Sequence, residues 1–303
     1  MTQRRNAVAS LLAPAVESAP SASAAALASL RILAGLLWLY NVSWKRPPDF
    51  GEGSGSGLYG FTRDAVEYPV FPPYSWLVEH VVLPNFTAFG WSVLVAETML
   101  AVLLLTGTFV RLAALVGVAQ SLAIGLSVAG APGEWPWAYW MMIGIHVVLL
   151  FTASGRAAAV DAVRAQAGDD GPPAAARLLR GWGVVIGLAA VVALVLALGE
   201  DPLASAGSAL GGSDLSVSLG RYNVLGAVVL LVVAALMVVG ASLHRRELAL
   251  IAAALAVLAA VSMYLQLSRT DVWLGGSNTS AAFFLSAAVV SGATAGALRQ
   301  RTR

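Results

Sequence analysis

The sequence predicts an all-α fold: a polytopic helical membrane protein of about eight spans, arranged as a four-helix bundle plus a second four-helix half. Three observations predict it. Of 303 residues, 58% are hydrophobic and 11% are charged, against about 25% charged in an ordinary soluble domain. Mean hydropathy is +0.78. Apolar runs recur along the chain, each near the roughly 20 residues that a helix needs to cross the hydrocarbon. Backbone groups in lipid must be satisfied within the segment, and these runs lack the alternation of membrane barrels, so they read as helices. The chain has no cysteine. Disulfides, iron–sulfur clusters and thiolate zinc sites are therefore excluded.

In chain order, residues 1–26 are low-complexity Ala, Ser and Pro, and Pro14, Glu17 and Pro20 interrupt any signal-peptide core. They read as a disordered cytoplasmic tail. A four-helix membrane domain follows over 27–160, with spans at 27–44, 86–106, 110–130 and 136–154. Its outer loop, 45–85, is long and carries Tyr59, Phe61, Tyr68, Phe71, Tyr74 and Trp76. The end of that loop, "PPYSWLVEHVVLPNF", reads as a short helix lying in the interface, where Trp and Tyr prefer to sit. The stretch "GEGSGSG" has no following Lys-Ser/Thr, so it is a flexible segment and not a phosphate-binding loop. Residues 161–180 form a polar cytoplasmic linker containing Gly171, Pro172 and Pro173. The second membrane region, 181–298, has spans at 181–199, 222–243, 248–267 and 280–298, and 299–303 is a basic cytoplasmic tail.

Charge placement orients these spans. With both termini cytoplasmic, the inner segments hold Arg4, Arg5, Arg111, Arg156, Arg164, Arg177, Arg180, Arg245, Arg246, Arg299, Arg301 and Arg303. The outer loops hold only Lys45, Arg46, Arg63, Arg221 and Arg269. This is the positive-inside distribution.

The polar residues within spans are unevenly shared. The first half has Arg31, Asn41, Glu97, Gln120 and His146, whereas no span of the second half carries a charge. Glu97, Gln120 and His146 each lie about 13 Å in from the inner end of their spans, at 1.5 Å per residue. Arg31 sits shallower, at about 6 Å by the same rise, and its side chain can reach into the bundle or snorkel to the inner headgroups. In helical phase Arg31 aligns with Gly35, Trp38 and Val42; Glu97 with Gly90, Ala101 and Leu104; Gln120 with Ala113 and Gly117; and His146 with Tyr139 and Met142. Small residues beside polar ones are what close helix contacts use.

A carboxylate at the depth of Glu97 costs several kcal/mol, from roughly 2.5 upward, unless it is paired or protonated. An Arg31–Glu97 pair fixing helix register and a substrate or proton role remain equal alternatives. Gln120 alone suits an interhelical hydrogen bond, and His146 alone suits a satisfied core histidine. The three histidines, His80, His146 and His244, do not give two at matching depth on facing helices, so no haem is expected. No metal and no nucleic-acid partner is expected either.

The first half resembles the DoxX/DoxD family, whose DoxD members form the small membrane subunit of thiosulfate:quinone oxidoreductase. The residues that carry the likeness are "LRILAGLLWLYNVSWK" with Arg31, Gly35 and Lys45, then "AETMLAVLLLTGTFVRLAAL" with Glu97, Gly107 and Arg111. The "WPW" entry to the fourth span and "GRAAAVD" with Gly155, Arg156 and Asp161 complete it, over roughly residues 25–165. The resemblance implies a cell-membrane subunit that passes electrons from a small reduced sulfur species to membrane quinone. In that reading Glu97 and His146 relay protons, while Arg31, Gln120, Trp38 and Tyr139 surround the quinone. The chain holds no redox centre of its own, so a partner redox subunit would supply one. Two other classes stand beside this: a non-catalytic anchor or assembly subunit, and a small-solute transporter. Against the last, no span is broken at its centre by proline, and matched interruptions in the two halves are absent.

Overall fold

The computed structural model describes residues 7–166, 171–267 and 272–298. The basic tail 299–303, Arg4, Arg5, Asp169, Asp170 and Arg269 lie outside them. Among the described residues seven helices are long and apolar enough to cross a membrane, with an eighth, shorter apolar helix. The chain is a multi-pass helical membrane protein.

The first half is built from α2 (Ser21–Ser43), α5 (Phe86–Thr106), α6 (Val110–Val128) and α7 (Pro136–Phe151). Pro136 starts α7 in the first turn, where its missing N–H costs nothing. At 16 residues, α7 is about 24 Å long, short of the roughly 30 Å hydrocarbon core; eight full spans are thus not established. Trp135, Trp137 and Trp140 stand exposed at its start, placed as interfacial anchors. α5 closes at Gly107, whose φ of +66° suits glycine, and Thr108 N donates to Leu103 O at 2.9 Å. That tight turn leads directly into α6.

The second half comprises α9 (Gly171–Ala197), α10 (Val224–Ser242), α11 (Arg246–Gln266) and α12 (Asn278–Ala297). Asn223 caps α10 by accepting from Gly226 N at 2.9 Å, and Ser277 with Ser280 forms a capping box on α12. The halves are not separate. α12 packs on α5 and α2 as well as on α11 and α9, and Ala282 lies in the core of the first bundle. Asn278 Nδ2 donates to Lys45 O at 2.6 Å, and Thr98 meets Tyr264 hydroxyl to hydroxyl at 3.3 Å.

Several expectations need correction. The segment 7–26 is ordered in place of a disordered tail: α1 (Ala7–Leu12) precedes a docked stretch, and α2 begins at Ser21. Its anchors are fixed groups. Gly155 N donates to Ala15 O at 3.0 Å; Arg156 Nη1 donates to Val16 O and Glu17 O at 3.2 and 3.1 Å; Arg164 Nη2 donates to Leu12 O at 3.3 Å; and Arg111 pairs with Glu17. These contacts define a tail face of the molecule, opposite the 45–85 loop.

The linker 161–180 is helical at both ends, as α8 (Val160–Ala165) and the first turns of α9, because Pro172 and Pro173 fall at a helix start, where proline is tolerated. The end of the outer loop is helical as expected, but α4 (Pro72–Leu77) runs through a π turn and a 3₁₀ turn into α5 without a break. A further helix, α3 (Gly57–Glu67), and a hairpin of β1 (Ala209–Gly212) with β2 (Val217–Arg221) were not anticipated. The hairpin, with an isolated antiparallel bridge between Tyr222 and Gly276, departs from all-α structure. It folds back into the bundle, packing on α2 and α12.

Candidate functional site

Helical phase aimed the polar side chains inward, and the structure places them there. Arg31, Trp38, Glu97 and His146 are buried, and Gln120 is half-buried. Their pairing differs from the expected one.

Glu97 does not meet Arg31. Its partner is Lys45, which follows the end of α2 and turns its side chain back along that helix, donating to Asn41 O at 3.0 Å and forming an ion pair with Glu97. Both side chains are 1% exposed. Trp44 covers the ammonium, 4.0 Å from ring centroid to Nζ, and Gln120 Nε2 donates to the other carboxylate oxygen at 3.3 Å. The expected juxtaposition of Glu97 and Gln120 therefore exists. Lys45 belongs to the same constellation, although its position in sequence reads as outside the span. A lysine stem is long enough to bring its charge back by more than a helical turn, and the carboxylate that awaits it was the available clue.

Arg31 points the other way. Its Nη2 donates to Ala158 O at 2.8 Å and to Ala157 O at 3.3 Å, on the tail face. Gly107 makes the room, since a Cβ there would lie 1.5 Å from Nη1 of Arg31. Asp161 is buried in the same region. Its carboxylate accepts from Phe109 N and Val110 N at 3.1 Å each, satisfying the first donors of α6, and Arg164 pairs with it at 2.8 Å. Arg31, Gly107, Gly155, Arg156 and Asp161 are thus an interlocked structural cluster, distinct from the Glu97 layer.

His146 has both ring nitrogens engaged. Nδ1 donates to Met142 O at 2.7 Å, and Nε2 accepts from the Trp38 indole N–H at 2.9 Å. That arrangement is the neutral Nδ1–H tautomer. Gly117 lets α6 approach the ring, because a Cβ there would sit 2.0 Å from Cδ2.

Beside this histidine a pocket of about 370 Å³ opens between α2, α6 and α7. Trp38, Tyr139, Met142, Ile124, Trp137 and Ser121 are among its walls, and Ser216 at the tip of the hairpin reaches it. The Ser121 hydroxyl is buried and has no hydrogen-bond partner among the described residues. Tyr139 donates its phenol to Glu134. The pocket thus gathers Trp38 and Tyr139 of the six anticipated site residues. His146 stands behind the Trp38 wall, and Glu97, Gln120 and Arg31 lie elsewhere. Ser121 escaped the sequence reading because a lone serine in an apolar helix carries no signal.

No family model, no curated protein and no solved structure matches this chain.

Proposed function

We propose that the chain is the membrane subunit of a quinone-linked oxidoreductase in the cell membrane, with both termini cytoplasmic, and that the α2–α6–α7 pocket receives the ring of a membrane quinone. One observation carries the reading. An apolar, aromatic-walled pocket of about 370 Å³, within the roughly 300–1,000 Å³ usual for small-ligand sites, presents a buried hydroxyl at Ser121 with an unused proton. A quinone carbonyl can accept that proton, while Trp38 and Tyr139 flank an aromatic-sized ring. The resemblance of the first half adds the donor class, a small reduced sulfur species oxidised on a partner subunit that carries the redox centre. Glu97 is assigned to packing through Lys45 and Gln120. His146 orients Trp38.

The test is binding of a short-tailed quinone to purified protein, read by quenching of tryptophan fluorescence, with quinone content of the native preparation measured beside it. Saturable quenching is expected. Ser121→Ala should weaken it by about two- to tenfold, the worth of one net hydrogen bond. Absence of both quinone and quenching would sink the reading. The anchor alternative, which the closed pairing of Lys45 with Glu97 and of Trp38 with His146 favours, would then stand.

A further inference from the structure

A second and larger cavity lies where the halves meet. It has a volume of about 660 Å³ and is walled by α2, α5, α8, α9, α12 and the hairpin. Ile32, Leu36, Leu105, Trp182, Leu219 and Phe283 make its depth apolar. Its tail-face end differs: Arg156 and Arg177 line it, and among the described residues no acidic side chain does. Arg156 is exposed, donates to two neutral carbonyls, and among the described residues has no carboxylate paired with it. Arg177 is also exposed, and among the described residues no carboxylate pairs with it.

We infer that this cavity holds one anionic phospholipid of the leaflet on the tail face, with an acyl chain in the apolar slot and the phosphate at Arg156 and Arg177. The occupant follows from the chemistry of the two ends. A helical membrane protein is surrounded by molecules that join a long apolar chain to a phosphate. Basic pockets between spans are where anionic headgroups bind. A neutral ring would leave two guanidiniums without a counter-charge, whereas a phosphate accepts from both.

The experiment uses full-length protein purified in mild detergent from membranes containing phosphatidylglycerol and phosphatidylcholine, with retained lipid counted by native mass spectrometry. About one phosphatidylglycerol per chain is expected to survive washing. Arg177→Gln should lower its retention by about fivefold, and the Arg156→Gln/Arg177→Gln pair by about thirtyfold, taking each basic group near the surface at its usual worth. Arg177→Gln is the cleaner single change, since Arg156 also holds the tail. Arg180→Gln, on the same helix but outside the cavity, should change nothing.

Gly181→Phe blocks the slot from the apolar side. A Cβ at Gly181 meets nothing within 4 Å, so the helix tolerates it while the ring takes the acyl chain's space; the lipid should be lost with the arginines intact. Retention of phosphatidylcholine equal to phosphatidylglycerol, or retention unmoved by the arginine pair, overturns the inference. So does a thermal shift with inorganic phosphate alone equal to that with phosphatidylglycerol, because the site would then serve a free anion.

Discussion

The ammonium of Lys45 reaches back from beyond the end of α2 to the carboxylate of Glu97, and the two charges meet almost wholly out of contact with solvent or lipid. Truncating one partner of such a pair strands the other, at about 3–5 kcal/mol, whereas replacing both by apolar residues of similar volume is often neutral. Lys45→Met and Glu97→Leu should each lower stability by about that amount, and Lys45→Met/Glu97→Leu should recover most of the loss. Denaturation in detergent, read by far-ultraviolet circular dichroism, checks it. Simple addition of the two single losses would mean that the charges do not interact.

Trp38→Phe keeps an aromatic ring but removes the N–H that His146 Nε2 accepts. The buried nitrogen is left unsatisfied, at about 1–3 kcal/mol. Gly117→Ala attacks the same pair from α6 by pressing on the imidazole, and overpacking of this kind costs about 1–3 kcal/mol. In wild type, nitrogen-15 spectra of His146 should show the proton on Nδ1; a proton on Nε2 would contradict the indole hydrogen bond.

Gly107→Ala should be among the most damaging single-methyl changes in the chain. It combines a left-handed backbone with a Cβ set 1.5 Å from a buried guanidinium nitrogen, and each kind of conflict alone costs about 1–3 kcal/mol. Gly144→Ala, where nothing lies within 4 Å, should raise stability by about 0.4–1 kcal/mol. Melting temperatures of the two variants that moved together would defeat the explanation.

Asp161→Ala removes the acceptor that ties the start of α6 to α8. The loss expected from a helix cap is about 0.5–2 kcal/mol, with the ion pair to Arg164 lost as well. Limited proteolysis should show the turn around Thr108–Arg111 cut faster in this variant, and unchanged cleavage would argue against the cap.

Orientation rests on the arginine bias. Reporter fusions within 161–180 should give a cytoplasmic signal, and those within 200–208 a periplasmic or external one. The reverse result would invert the whole molecule.

The helical membrane class was legible because composition and run length measure burial in lipid directly. The inward faces were legible too, because helical phase is local: Arg31, Gly35, Trp38 and Val42 are all buried. Partner choice was not. Arg31 suggested itself for Glu97 as the cation lying within a span, but a position counted along a helix does not fix where a flexible side chain ends, and Lys45 comes back to Glu97 while Arg31 finds carbonyls at Ala157 and Ala158. The docked tail was illegible for a similar reason. Its composition is that of a disordered segment, and its order comes from backbone carbonyls accepting from arginines far away in sequence. The pocket was half legible, since Trp38 and Tyr139 share faces with polar residues while Ser121 does not advertise itself.

The docked tail also sets an order of events during synthesis. Glu17 leaves the ribosome 94 residues before Arg111, and Val16 leaves 140 residues before Arg156. At the elongation rate of about 5–20 residues per second, the segment therefore waits several seconds without the groups that hold it. Until the first four helices are made, the residues around Ala15 are open to proteases and to chaperones. Afterwards they form a clasp across the turn between α5 and α6 and the segment leaving α7, so that an early-made part of the chain records the completion of the bundle.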